Sequence, residues 1–297
     1  MRIVFVSIFY PVFMGGYFLG ALQRRKDVEL YTVGPYTGDF IPWKGGMTVK
    51  HRFEPDRPLP QDWLRRKTPI QMIEAFLPWE PDLWIQVDAG FHLDGKPKHG
   101  FNAIVGTDPH CLDYTAARAV ADKFFCMQLC YEKEGDYYLP YAHDPILHAR
   151  EEREKEYDAC LVGLQYPQRT HWVEALRAKG RKVFYDTGPS YEDARALYGA
   201  SRVGLNWSSL DDLNARAFEL LGYGIPAVMN TVPDIDSFFV AGRDYLPFKT
   251  LDEAVKQVEW ALENPKEATL IAENGRRAVA PHTWDARVEE LLNVCNA

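Results

Sequence analysis

Glu219 is a carboxylate set among apolar neighbours. It lies between Phe218 and Leu220-Leu221 in the stretch Asn214-Ala-Arg-Ala-Phe-Glu-Leu-Leu-Gly-Tyr-Gly-Ile-Pro-Ala-Val-Met-Asn230. A buried acid without a partner is costly. A cis-diol satisfies it, because two hydroxyls donate to the two oxygens of one carboxylate, and the ribose of a nucleotide carries such a diol. Glu219 is therefore read as a ribose holder. The phosphates of that nucleotide then need cations or backbone N–H groups close by. Arg216 lies three residues before Glu219, on roughly the same helix face. Arg169 follows a predicted strand, where a phosphate sits in a doubly wound domain. Gly15-Gly16, expected in the loop after the first strand, let backbone approach a phosphate closely. Asp108 and His110, in Thr107-Asp-Pro-His110, follow another predicted strand and are candidates for moving a proton; Asp88 is a further candidate. Each has a bland counterpart. Arg216 can simply pair with Glu219 or Asp212, and Arg169 can be a surface residue at a helix start. Gly15-Gly16 can be an ordinary turn, Glu219 a solvent-facing carboxylate, and His110 a loop histidine capped by Asp.

The elements that must position these groups alternate along the chain. Apolar, β-branched runs predict strands over 3–9, 28–33, 83–87, 102–106, 123–127 and 138–142, with helices over 17–25, 70–77 and 116–122. Residues 35–60 are rich in Pro and Gly and give no clear element. A charged run, Arg150-Glu-Glu-Arg-Glu-Lys-Glu156, follows, and the pattern then restarts. Strands are predicted over 159–163, 182–185, 203–206 and 227–229. Helices are predicted over 170–179, 191–198, 214–221, 235–240 and 252–263, with more helix to the end. Two such series predict an α/β protein of two doubly wound Rossmann-like domains facing a central cleft. The expected domains are 1–148 and 149–297, and the last helix of the second can cross back to the first.

Composition narrows the function classes. At 297 residues and 46% apolar, the chain can bury two cores. A net charge of −8 disfavours nucleic acid as partner or acceptor, since a polyanion needs clustered cations; Arg24-Arg-Lys26 and Arg65-Arg-Lys67 are short runs. Five scattered cysteines do not form a disulfide framework, and a reduced, cytoplasmic setting is expected. Cys126 and Cys130, with His110 and Cys111 upstream, are weighed as a zinc site and read instead as apolar fillers. No membrane span is expected, and residues 3–14 read as a strand rather than a secretory leader. No His/carboxylate or Asp-x-Asp pair reads as a metal cage, so no metal or other cofactor is expected. Neither half carries Gly-x-Gly-x-x-Gly, which disfavours a dinucleotide dehydrogenase. Aromatics make up 13%; an exposed shelf of Phe13, Tyr17, Trp43 and Trp63 would let a sugar ring stack, but most of these are read as core residues.

Several segments resemble the CgeB-like (spore maturation protein-like) glycosyltransferases. Val162-Gly163 followed by Arg169 is similar to that group's opening, and Val203-Gly-Leu-Asn206 to its Gly-Leu-Asn strand. Asn214-x-Arg216-x-Phe218-Glu219 resembles its Arg-x-Phe-Glu motif, and His282-Thr-Trp-x-x-Arg287 its closing helix. The likeness covers roughly residues 158 to 292 and is weaker in the first half. It implies a GT-B fold and a hexosyltransferase-like enzyme moving a sugar from a nucleotide diphosphate sugar to a glycan, protein or small-molecule acceptor, retaining and metal-independent. It implies donor-binding roles for Asn206 and Asn214, and contact of a first-domain His with the donor sugar, here His110. It also implies a pair of acids separated by seven residues, here Asp211 and Glu219, with Asp where the pattern has Glu. A sugar-nucleotide epimerase of the same fold and a non-catalytic, nucleotide-sugar-binding assembly protein are the alternatives.

Overall fold

A computed structural model describes residues 1–41, 47–48, 52–65, 67–87, 91–210 and 212–297. The chain divides into two compact units, Met1–Pro140 with Trp284–Ala297, and Tyr141–Thr283.

The first unit is built on a parallel sheet. Its elements are β1 (Arg2–Val6), α1 (Gly15–Gln23), β2 (Glu29–Pro35), the small antiparallel pair β3 (Phe40–Ile41) and β4 (Met47–Thr48), β5 (Arg57–Leu59), α2 (Ile70–Glu74), β6 (Leu83–Val87), β7 (Phe101–Gly106), α3 (Thr115–Val120), β8 (Lys123–Cys126) and β9 (Tyr137–Tyr138). The sheet order is β5-β2-β1-β6-β7-β8-β9, with every pairing parallel. β1 is an interior strand, and Ile3, Val4, Phe5 and Val6 are buried on both of its faces. The terminal helix, Trp284–Asn296, belongs to this unit. Trp284 stacks on Tyr17, with ring centroids 5.4 Å apart, and Arg24 grips Asp285 through Nε at 2.7 Å and Nη2 at 2.8 Å. Arg25 pairs with Asp27 and Glu289. Most of the first basic run is thus spent on ion pairs rather than presented as an anion-binding groove.

Gly15 and Gly16 are not in a loop; they open α1. A Cβ on Gly15 would lie 2.4 Å from Ser7 Oγ, so glycine here lets the helix start against the end of β1. Gly34 is tighter still, since a Cβ there would lie 1.7 Å from the Ser7 carbonyl oxygen. Backbone cannot yield as a flexible side chain does. Gly34→Ala is therefore expected to cost about 3 kcal/mol or more of folding stability, read from urea denaturation; an unchanged midpoint would show that the close approach is not needed.

The second unit carries β10 (Tyr157–Val162), α4 (Pro167–Ala178), β11 (Val183–Asp186), α5 (Tyr191–Gly199), β12 (Ser201–Asn206), α6 (Ala215–Tyr223), β13 (Ala227–Asn230), β14 (Leu246–Phe248), α7 (Leu251–Glu263) and α8 (Pro265–Val279). Its parallel sheet has the order β11-β10-β12-β13-β14. Trp172, Val173 and Leu176 of α4 pack with Val203, Leu205, Val228 and Phe248 in one apolar core. α7 starts with a capping box, Thr250 Oγ1 accepting from the Glu253 N–H at 3.3 Å while Glu253 reaches back. The helix expected over 235–240 is only a 3-10 turn, Ile235–Ser237. Among the described residues, no helix is long and apolar enough to cross a membrane.

Candidate functional site

In the second unit the chain leaves β10 toward β11 on one side and returns as β12 on the other. The carboxyl ends of β10 and β12 therefore flank a crevice of the kind where ligands bind in doubly wound sheets. The predicted donor residues of this half gather there. Gly163, just past β10, has φ +153°, and a Cβ on it would meet Arg169 Nη1 at 3.3 Å. Arg169 stands in the first turn of α4, which Pro167 opens. It reaches across the switch point, donating from Nε to the Trp207 carbonyl at 2.8 Å and from Nη1 to the Leu164 carbonyl at 3.1 Å. Its guanidinium also lies 5.0 Å from the Tyr166 ring centroid. No carboxylate among the described residues pairs with it. Burial, and then the charge of Arg216, push its pKa down. A partly desolvated cation beside a second cation favours a bound anion.

α6 supplies the second cation and the acid. Asn214 caps it, but its side chain does not bond the helix; Asn206 Nδ2 donates to Asn214 Oδ1 at 3.1 Å, tying the end of β12 to the start of α6. Glu219 is 7% exposed, so the solvent-facing reading does not hold. Its Oε2 pairs with Arg216 Nη1 at 2.9 Å, which is the i,i+3 pair foreseen as the bland role of Arg216. The Arg216 guanidinium also lies 5.8 Å from the centroid of the buried Tyr198 ring. Asp211 lies outside the described residues, as do Asp88 and Trp43.

Sequence reasoning missed His148. It is 2% exposed, and its Nε2 lies 3.9 Å from Glu219 Oε1. The available signal was Asp144-Pro-x-x-His148, a turn opened by Asp-Pro. Burial pushes the His148 pKa down to about 4, against the pull of Glu219 and Asp144. An unfolded histidine binds its proton near 6.5. Between those values the unfolded chain holds the extra proton, so stability falls as pH falls. Buried His143 is shifted the same way, again chiefly by desolvation. Acidification from pH 6.5 toward 4 is expected to remove on the order of 3 kcal/mol through His148, read as a falling melting temperature. A melting temperature flat over that window would contradict the assignment.

In the first unit, Asp108 and His110 sit after β7. Asp108 Oδ2 accepts from Thr107 Oγ1 at 2.7 Å, and His110 Nδ1 lies 3.2 Å from Gln128 Oε1, so the ring's partner is Gln128 rather than an Asp cap. Donor atoms of Asp108, His110 and Cys111 lie within 4.8 Å of one another, a spacing that could hold a metal ion. Desolvation, then Asp108, push the Cys111 thiol up, which works against a thiolate ligand. Asp234-Ile-Asp236 has Asp-x-Asp spacing but belongs to no such cluster among the described residues. Cys126 is buried and donates to the Gln128 carbonyl at 3.2 Å, as a filler does. Phe13 is buried and Tyr17 is covered by Trp284, so neither forms an exposed shelf. The two groups of candidates thus lie in different units, each assembled locally.

A family model described as glycosyl transferase-like matches residues 144–293. Among solved structures, the chain is similar to a sucrose-phosphate synthase from Thermosynechococcus elongatus (TM-score 0.63, 14% identity, covering 100% of this chain and 98% of that one). It is also similar to an alpha-glucosyltransferase in complex with UDP and a 13-mer DNA containing a central A:G mismatch (TM-score 0.68, 10% identity, 100% of both chains). The Anabaena protein Alr3699/HepE in complex with UDP gives a TM-score of 0.61 at 10% identity, again over 100% of both chains. At these identities the likeness is one of fold. No curated protein shows a significant sequence match.

Proposed function

The chain belongs to the glycosyl transferase-like family, and from that premise we propose that it moves a sugar from a nucleoside diphosphate sugar to an acceptor hydroxyl, with retention at the sugar carbon and without a metal ion. Within the family, the Arg216-x-Phe-Glu219 segment favours a CgeB-like branch. The observation that carries the reading is the pairing of two unlike features at one switch point. Arg169 is a partly desolvated cation with no acid partner among the described residues. Glu219 is a buried carboxylate one helix away. Together they match the two ends of a nucleoside diphosphate, the phosphates and the ribose diol.

In the proposed reaction the bond from the sugar carbon to the diphosphate oxygen breaks, and its electron pair leaves with the diphosphate. Arg169 and Arg216 offset the charge that develops there. The acceptor oxygen bonds to the sugar carbon and gives up its proton, for which Asp108 and His110 of the first unit are the proposed recipients. Asn206 and Asn214 hold the entrance of α6 in place. Two of the similar structures were solved with UDP, so UDP-sugars are the donors to test first. The net charge of −8 keeps a glycan, protein or small molecule ahead of nucleic acid as acceptor.

Incubation with UDP-, GDP- and dTDP-sugars tests the proposal. Nucleotide release that requires an acceptor supports transfer. Isomerised donor would point to epimerisation instead, and no response to any donor would point to a binding or assembly role. EDTA is expected to leave turnover unchanged. A loss restored by added zinc or manganese would overturn the metal-free reading and direct attention to Asp108, His110 and Cys111.

A further inference from the structure

His148 lies outside the segments that resemble the family, yet it is held by its own turn and faces Glu219. Residues 144–148 form a closed clip. The Asp144 carboxylate accepts the N–H groups of Ile146 at 2.9 Å and Leu147 at 3.0 Å, and its carbonyl accepts the His148 N–H at 2.9 Å. The Asp144 N–H in turn donates to His148 Nδ1 at 2.9 Å. A nitrogen that accepts a hydrogen bond carries no proton, so the neutral ring holds its proton on Nε2. That is the nitrogen facing Glu219 Oε1, at 3.9 Å. Arg216 occupies the other oxygen, Oε2. The Tyr223 ring meets the imidazole edge-on, with centroids 5.4 Å apart, and fixes its tilt.

We propose that His148 is a positioning residue for Glu219: the clip fixes its Nε2–H form, and that N–H dipole, facing Oε1 while Arg216 holds Oε2, orients the carboxylate toward a ribose diol. The inference rests on the ribose reading of Glu219 and adds the residue that makes that reading selective. At 3.9 Å the contact is longer than a hydrogen bond, so the imidazole acts as an oriented dipole in a desolvated place rather than as a competitor for the oxygen's lone pairs. A protonated ring would instead turn a second donor against the Asp144 N–H. Burial, which disfavours the charged ring, acts in the same sense.

The test compares each ribonucleoside diphosphate with its 2′-deoxy form, which lacks one of the two hydroxyls. The probe is the tighter binder of UDP and GDP, with calorimetry as the readout. Wild-type protein is expected to prefer the ribonucleotide by about tenfold or more, and E219A to lose that preference. H148N keeps an acceptor for the Asp144 N–H but ends short of Glu219, and is expected to lose most of the preference. H148Q places an amide N–H where Nε2 stood, and is expected to retain it. Preference retained in H148N, or lost equally in both variants with melting temperatures unchanged, would overturn the positioning role while leaving the ribose reading standing. Preference retained in E219A, or a wild type that binds neither probe, would overturn the ribose reading itself. Nitrogen-15 NMR of histidine-labelled wild type requires no variant to fold: the Nε2–H tautomer is expected for His148 at pH 7, and an Nδ1–H or protonated ring would sink the proposal.

Discussion

Glu219→Ala is expected to weaken binding of the preferred nucleoside diphosphate by about 1.5–3 kcal/mol, a rise in Kd of roughly ten- to over a hundredfold. The magnitude follows from losing hydrogen bonds to a charged acceptor. The other consequence of the substitution acts in the opposite direction. Removing the acid takes one partner from Arg216, whose side chain is 24% exposed and can therefore be partly rehydrated, and a guanidinium less neutralised by its own chain attracts phosphate more strongly. If that second effect dominated, affinity would hold or rise. The two are separated by comparing UDP with uridine, which has the diol but no phosphates: uridine should lose affinity in full. Glu219→Gln keeps the shape and removes the charge, and should fall between wild type and alanine. Unchanged affinity for every nucleoside and nucleotide tested would remove the ribose assignment.

Arg169→Ala is expected to act on turnover rather than on binding. The negative charge of the leaving diphosphate grows as the bond to sugar breaks, so a cation placed there contributes most in the transition state. Loss of one such donor typically lowers kcat by about 10²–10³-fold, with a smaller change in KM. The substitution leaves no acid orphaned, because the side chain donates to the carbonyls of Trp207 and Leu164 and to no carboxylate among the described residues. Stability should therefore change little, and a melting curve run beside the kinetics checks this. Arg169→Lys keeps the charge but not the fork that bridges two carbonyls, and should restore only part of the rate. A kcat within a fewfold of wild type in the alanine variant would show that the diphosphate lies elsewhere.

The difference between these two variants reflects how each residue is held. Arg169 is anchored by backbone on both sides of the switch point, so its position belongs to the sheet topology. Glu219 is anchored by side chains, Arg216 from its own helix and His148 from a separate clip. The cysteines, by contrast, offer no shared chemistry: none of the five is in a disulfide, and only Cys111 joins a donor cluster among the described residues.

The alternation of strands and helices was legible in the sequence because buried parallel strands are apolar throughout and amphipathic helices repeat at another period. Leu83–Val87 falls where the pattern places it, and α6 and α7 depart by a residue or two at their ends. Two of the strands that escaped share a cause. Arg57–Leu59 and Leu246–Phe248 are three residues long and centred on proline, and both lie at sheet edges, where a missing N–H is tolerated. Nothing local distinguishes such a segment from a loop. Gly15 and Gly16 read as a turn because glycine usually punctuates, whereas here both open α1 and Gly15 lets it pack against Ser7, a residue eight positions away.

For the site, sequence alone marked Glu219 as an acid in an apolar setting, because burial can be inferred from the residues beside it on a helix. It also marked Arg169 and Arg216 as cations within reach of a phosphate. It left undecided whether Arg216 serves the acid, the ligand or both, since an i,i+3 spacing permits all three. Only the tertiary structure showed that Arg169 ends at backbone carbonyls, with no carboxylate partner among the described residues, and that His148, seventy-one positions before Glu219, faces the same carboxylate. Short-range periodicity carries burial, but the partner of a buried charge is set by which strands lie side by side, and strand order is not written in any local stretch of the chain.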